Sequence, residues 1–368
     1  MSETITISRS NVLSDRFIIF ARKNMGLISV LISILAIIAA LVIGAGLIAL
    51  AGINPIKAYG FMVKGAFGTM YGFGETLTRF IPIAFTGLAF SVAYKSGYFN
   101  IGAEGQLYMG GLGAVLAGIY LKDLPPVLHI SISLLAGFVF GALWAQIAGI
   151  LKVTIGANEM INTMMLNYVA TLFIQYLVNG PLKDPNSHNY QSAPVLASAK
   201  LPVILPKTHL HLGFILALVA AYGVYYFLWR TPIGFSLRTI GANPRAAAYA
   251  GISIVKGTII AVAVSGGLAG LGGATEVLGS QYKMISGFSP GFGWDGVGIA
   301  VMGQNNPVGI VLSALLFAVI RVGAGAMQRG IGVPSPLLSV IQGLIIILVV
   351  ASAYFTRKIT TTVIGGRA

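Results

Sequence analysis

Gly26–Ala51 reads GLISVLISILAIIAALVIGAGLIALA and carries no charged residue. A helix of roughly 17–25 apolar residues crosses the hydrocarbon layer of a bilayer, so this stretch reads as a membrane span. It is longer than the apolar core of a cleaved signal peptide, about 7–15 residues. The polar residues 1–25 before it include Arg9, Arg16, Arg22 and Lys23, and the stretch is expected to remain as the first helix. Working outward, similar apolar runs place spans near 26–51, 79–95, 101–121, 127–150, 158–179, 210–229, 254–279, 291–304, 307–327 and 335–355. The pattern predicts an all-α integral membrane protein of about ten transmembrane helices. The third and eighth runs begin in glycine-rich, polar-dotted sequence, and the eighth is too short to cross alone.

Composition agrees. Of 368 residues, 56% are hydrophobic and 9% charged, against roughly 25% charged in soluble domains. So few charges cannot cover a water-facing shell, so lipid is the expected solvent. The 48 glycines suit close helix packing in a bilayer. The absence of cysteine excludes disulfides, thiolate metal sites and cysteine nucleophiles.

The net charge of +14 does not point to nucleic acid. The basic residues stand singly at the ends of apolar runs, whereas a nucleic-acid binder clusters them on one face. Orientation explains them better. With ten crossings, thirteen of the 23 Lys and Arg fall on the face holding both termini and nine on the other, with Arg321 left in the membrane. Several of the nine lie in the long loops 52–78 and 180–209, where the positive-inside rule is weak. Both termini are therefore expected in the cytoplasm: a segment 1–25, a permease domain 26–356 and a tail 357–368.

Several motifs carry no chemistry here. Gly291, Gly293 and Gly296 spell GxGxxG without the strand and helix that a dinucleotide site needs. Gly287–Gly291 spells GxSxG without a nucleophile elbow's strand. No GxxxxGK[ST] cradle for ATP phosphates occurs. His129, His188, His209 and His211 all lie at span ends or in loops, which speaks against an intramembrane enzyme. Gly137-xxx-Gly141 and Gly266-xxx-Gly270 read as helix-packing motifs. Gly97–Gly118 and Gly287–Gly303 are glycine-rich breaks in the two halves. Paired breaks suggest an internal repeat with a solute path where they meet, although ordinary glycine-rich turns would look the same.

Residues 230–253 form the only sizeable polar loop on the expected cytoplasmic face. Asn243 suits an N-cap, Pro244 a first helical position and Ala246–Ala248 a helix interior, and Gly251 can end the helix. A two-turn helix outside the membrane is expected. Its small side chains could enter a groove on a partner, flanked by Arg238 and Arg245; a capped linker is the plainer reading.

Arg238, Gly241, Asn243, Ala246, Ala247, Gly251 and Ile252 form a pattern that resembles the coupling loop of ABC importer permeases. The matching branch handles ribose-type sugars, branched-chain amino acids and nucleosides. Phe99–Gln106 (FNIGAEGQ), Gly156–Ile161 and Met165–Tyr168 look most like nucleoside permeases that work with a BmpA-type lipoprotein. The resemblance spans residues 80–355. It implies no bond chemistry and no cofactor in this chain, ATP being bound by partner subunits. It also implies a cytoplasmic ABC ATPase, a second and homologous permease chain, an extracytoplasmic substrate-binding lipoprotein and a bacterial plasma membrane. Arg238, Gly241, Asn243, Pro244, Ala246, Ala247 and Gly251 would couple to the ATPase.

A charge at the bilayer centre is costly and should face protein or water. Glu104, Glu159, Glu276 and Asp295 are such acids, with Arg321 as the basic partner that neutralises one of them. Asn100, Gln106, Asn158, Asn162 and Asn167 add amides; Asn158 and Asn162 would share one helix face. For a nucleoside substrate these groups suit the base edge and ribose hydroxyls, and Phe99, Tyr168 or Trp294 could stack on the base. Helix–helix hydrogen bonding accounts for the same amides. A ribose-type sugar permease is the near alternative and an ion-coupled secondary transporter a more distant one.

Overall fold

The computed structural model describes residues 25–365, so the expected segment 1–25 lies, apart from Met25, outside the described residues. Thirteen α-helices occur among the described residues: α1 (Met25–Leu50), α2 (Pro55–Phe67), α3 (Met70–Lys95), α4 (Ala103–Tyr120), α5 (Pro126–Ile155), α6 (Glu159–Asn179), α7 (Gly213–Arg230), α8 (Pro232–Ala242), α9 (Pro244–Tyr249), α10 (Ile254–Glu276), α11 (Phe292–Met302), α12 (Pro307–Ile331) and α13 (Ser335–Gly365). No strand is present among these residues, only isolated bridges in the loops. Among the described residues, seven helices are long and apolar enough to cross a membrane, or eight if Ile34–Leu50 and α2 form one broken span. The chain is an all-α, multi-pass membrane protein. The residues expected as a tail from 357 continue α13 as far as Gly365.

The chain divides into two units. The first holds, of the described residues, 25–58 and 333–365, in which α1 packs on α13. Leu338, Ile341, Ile345 and Val349 form a buried stripe on α13 at helical spacing.

The second unit, residues 59–332, is built around α3. Its most apolar window is 89% buried, against 28% for α5, α6 and α7. Lipid-facing helices need apolar outer surfaces, whereas a helix wrapped in protein can carry Glu75 and Arg79. α4 and α10 accompany α3 in the centre, and α5 closes on both. Glycine sets the closeness of these contacts. A methyl group at Gly110 would strike the backbone of Gly270, one at Gly141 the carbonyl of Gly266, and one at Gly273 the carbonyl of Leu107. The two GxxxG motifs thus face each other across α5 and α10.

Several boundaries differ from expectation. The loop expected at 52–78 contains α2, whose first turn is capped by Asn54 through Ile56 and Lys57 amides at 3.0 and 3.2 Å. α3 begins at Met70 rather than 79, because the Glu75–Arg79 pair lets the helix carry charge. Expected spans 101–121 and 291–304 are the helices α4 and α11. Neither is among the helices that pass for a full span. The 230–253 segment holds two helices rather than one. Thr231 accepts a hydrogen bond from the Gly234 amide at 3.0 Å and Pro232 opens α8, a cap-and-proline signature that repeats at Asn243-Pro244.

Candidate functional site

The two glycine-rich breaks meet. After α3 ends at Lys95, residues 96–102 turn back into the unit, starting from Gly97 at φ +80°. Asn100 is fully buried there. Its Nδ2 donates to Gln106 Oε1 at 3.0 Å and to Ser265 Oγ on α10 at 2.8 Å, and its Oδ1 accepts from the Gly102 amide at 2.8 Å and from Gln106 Nε2 at 3.0 Å. Asn167 of α6 holds the next residues: its Oδ1 accepts from the Gly105 amide at 2.8 Å and its Nδ2 donates to Ile101 O at 2.9 Å. α4 therefore starts inside the unit rather than at its end.

Glu104, in the first turn of α4, accepts a hydrogen bond from the Gly293 amide at 2.6 Å. Gly293 is in the first turn of α11, so two helix N-termini converge on one carboxylate, a placement that the helix dipoles favour. No side chain fits at Gly293, where a methyl would overlap the backbone of Ala103 and Glu104. Thr86 of α3 donates to Phe292 O at 2.9 Å, and Tyr108 packs edge-on to Phe288 at 4.7 Å.

Beside this junction lies a cavity of about 500 Å³, whose lining includes Tyr71, Glu75, Arg79, Pro290, Arg321 and Arg329. Arg79 bonds Glu75 at 2.7 Å and stands 3.6 Å from Glu276. Arg321 pairs with Asp295, donates to Pro290 O and lies over the Phe292 ring at 5.0 Å. It neutralises an acid, as its type predicts.

The other expected pathway residues are dispersed. Phe99 packs edge-on against Phe90 and Tyr94 at 5.1 and 6.2 Å. Asn158 is the N-cap of α6 and accepts from the Met160 and Ile161 amides, so it does not share a helix face with Asn162. Glu159 pairs with Lys152 at 2.7 Å. Asn162 Nδ2 is buried without a partner. Trp294 and Tyr168 are exposed. Glu276 is an expected intramembrane acid, but its partner Arg79 and the contribution of Ser265 have no signal in local spacing. They become visible only when α10 folds against α3 and α4.

At the end of the unit where α3 finishes, α8 and α9 form a platform. Gly241 lies against the carbonyl of Lys95 and the amide of Gly97. Asn243 caps α9 through the Arg245 and Ala246 amides at 3.0 and 3.1 Å, Pro244 is its first residue, and Gly251 leaves it at φ +77°. Ala247 is fully buried and faces its own chain, which corrects the expectation that it is offered to a partner. Ala246 and Arg245 are exposed, and Tyr249 is 94% exposed. Arg238 turns back to α7, donating from Nε to Leu228 O at 2.9 Å.

Comparison with known proteins follows the same lines. Residues 72–350 match the family model described as the branched-chain amino acid transport system / permease component. The guanosine ABC transporter permease protein NupP of Bacillus subtilis is 38% identical over 89% of this chain and 94% of its own length. The glucose ABC transporter permease protein TsgB13 of Haloferax volcanii is 33% identical over 88% of both. The nucleoside ABC transporter permease protein NupB of Lactococcus lactis is 33% identical over 87% of this chain and 90% of its own. No solved structure matches. Family model and relatives cover both the α4–α11 junction and the α8–α9 platform, and the chain belongs to the permease-component family of branched-chain amino acid transport systems.

Proposed function

We propose that this chain is the permease subunit of an ATP-driven importer of nucleosides in a bacterial plasma membrane. The observation that carries the reading is the α8–α9 platform: an outward-turned knob on a chain with no phosphate cradle of its own. In this reading the platform docks a cytoplasmic ABC ATPase through Tyr249, Ala246 and Arg245, and both chain termini share its side. A second, homologous permease completes the pathway, and a substrate-binding lipoprotein delivers the solute from outside. α4 and α11 act as two further, short spans that bring the crossings to about ten and mark corresponding breaks of an internal repeat. ATP binding moves the platform; Gly241 passes the motion to residues 95–102, and the Asn100 cluster to Glu104 and Gly293. The cavity at Arg79 and Arg321 is the outer part of the solute path.

The nucleoside assignment rests on the guanosine and nucleoside permeases among the relatives. The glucose permease relative supports a simple sugar as the second reading. Two measurements decide. Tyr249→Asp is expected to abolish ATP-dependent uptake with membrane insertion intact; normal uptake in that variant removes the docking role. Competition for labelled guanosine should be strong with uridine and weak with ribose or glucose. Inhibition by the sugars alone overturns the nucleoside assignment.

A further inference from the structure

α7 carries a stripe, Leu218, Tyr222, Tyr225 and Trp229, at helical spacing. Beside its upper part runs an apolar groove of about 410 Å³ between α7 and the start of α12, lined by Leu218, Tyr222, Tyr225, Pro307, Val308 and Leu312. Tyr225 stacks on Trp229 at 5.6 Å and 19°, so the groove leads directly to the indole. Two cations crowd that ring: Lys95 Nζ at 5.8 Å and Arg238 Cζ at 5.9 Å from its centroid. Arg238 is tethered through Nε to the last turn of α7, and Arg230 is exposed beside Trp229 in sequence.

None of the ion pairs among the described residues involves Lys95, Arg230 or Arg238. Glu159, the one acid near this end among the described residues, is taken by Lys152. Two like charges held at one ring with no counter-ion among the described residues call for an anion. From Leu218 to Trp229 the helix rises about 16 Å, comparable to a fatty acyl chain.

The geometry points to a bound anionic phospholipid, its phosphodiester between Lys95 and Arg238 at Trp229 and an acyl chain in the α7–α12 groove. Headgroup and tail features share one helix face and one residue, Tyr225, which an acidic protein partner would not require. Lipid binding is read without solute or ATPase, so the site stands or falls apart from the transport reading.

The test uses the purified full-length chain, without partner subunits, mixed with equal amounts of phosphatidylglycerol and phosphatidylcholine and examined by native mass spectrometry. Wild type should retain phosphatidylglycerol preferentially. Lys95→Gln and Arg238→Gln should each lower that preference about fivefold, the effect of one basic residue at an anionic surface. Leu218→Trp, which fills the groove and keeps the charges, should lower retention of both lipids. Elution as a monodisperse species checks that each variant folds, and Lys95→Gln with Leu218→Trp suffices if Arg238→Gln does not. Equal retention of the two lipids by wild type overturns the proposal. So does an unchanged preference in the Lys95→Gln/Arg238→Gln double variant. Displacement of the lipid by millimolar inorganic phosphate would reduce the site to a phosphate contact and overturn the acyl part.

Discussion

At the scale of single residues, side-chain volume at the helix contacts is the strictest constraint. Gly270→Ala drives a methyl into the Gly137 carbonyl, and overpacking of this kind costs about 1–3 kcal/mol. Gly223 has nothing within 4 Å of an added methyl. Gly270→Ala should therefore lower the thermal unfolding midpoint, and Gly223→Ala should leave it unchanged or raise it slightly. Equal shifts would contradict the packing account. Asn100→Leu leaves Gln106 and the Gly102 amide without their partner, a loss of about 2 kcal/mol, read in the same assay. The Arg321–Asp295 neutralisation was legible from residue type, because a charge in a bilayer requires a partner. The role of Asn158 as a cap is also legible in its place before Glu-Met-Ile, where its Oδ1 accepts from the Met160 and Ile161 amides. The Lys152–Glu159 pair was hidden, since it bridges the break at Gly156 rather than following one helix's period.

At the scale of elements, the apolar runs gave most of the spans within a few residues. They failed where a helix carries charged residues, Lys57 and Lys64 in α2 and Glu75 and Arg79 in α3. α3 was cut short by its charges, and α2 was lost in a loop, because hydropathy measures contact with lipid and not helicity. The Asp295–Arg321 pair fastens α11 to α12. Arg321→Gln leaves the Asp295 carboxylate half-buried and alone, a cost of about 3 kcal/mol. It should lower both the unfolding midpoint and uptake, and the reversal Asp295→Arg with Arg321→Asp should recover part of each. No recovery would mean that the pair acts through more than its mutual charge. On the platform, Ala247→Glu should unfold α8–α9, seen as new protease cleavage between 230 and 253. Ala246→Glu, one residue away and exposed, should leave the cleavage pattern unchanged and impair uptake.

At the scale of the whole molecule, composition alone fixed the solvent, and membership in a permease family accords with a chain that contains no ATP cradle. Reconstituted alone in vesicles, it should neither hydrolyse ATP nor accumulate guanosine, while the complete complex should do both; accumulation by the isolated chain would remove the division of labour. The burial of α3 carries a consequence for synthesis. Arg79 emerges from the ribosome about 200 residues before Glu276, which at roughly 5–20 residues per second is a delay of about 10–40 s. During that interval only Glu75 shields its charge, and the faces of α3 that will meet α10 have nothing but lipid or the insertion machinery to rest on. A nascent chain arrested before residue 276 should therefore remain cross-linked to the translocon or its insertase through α3, and release should follow once α10 has arrived.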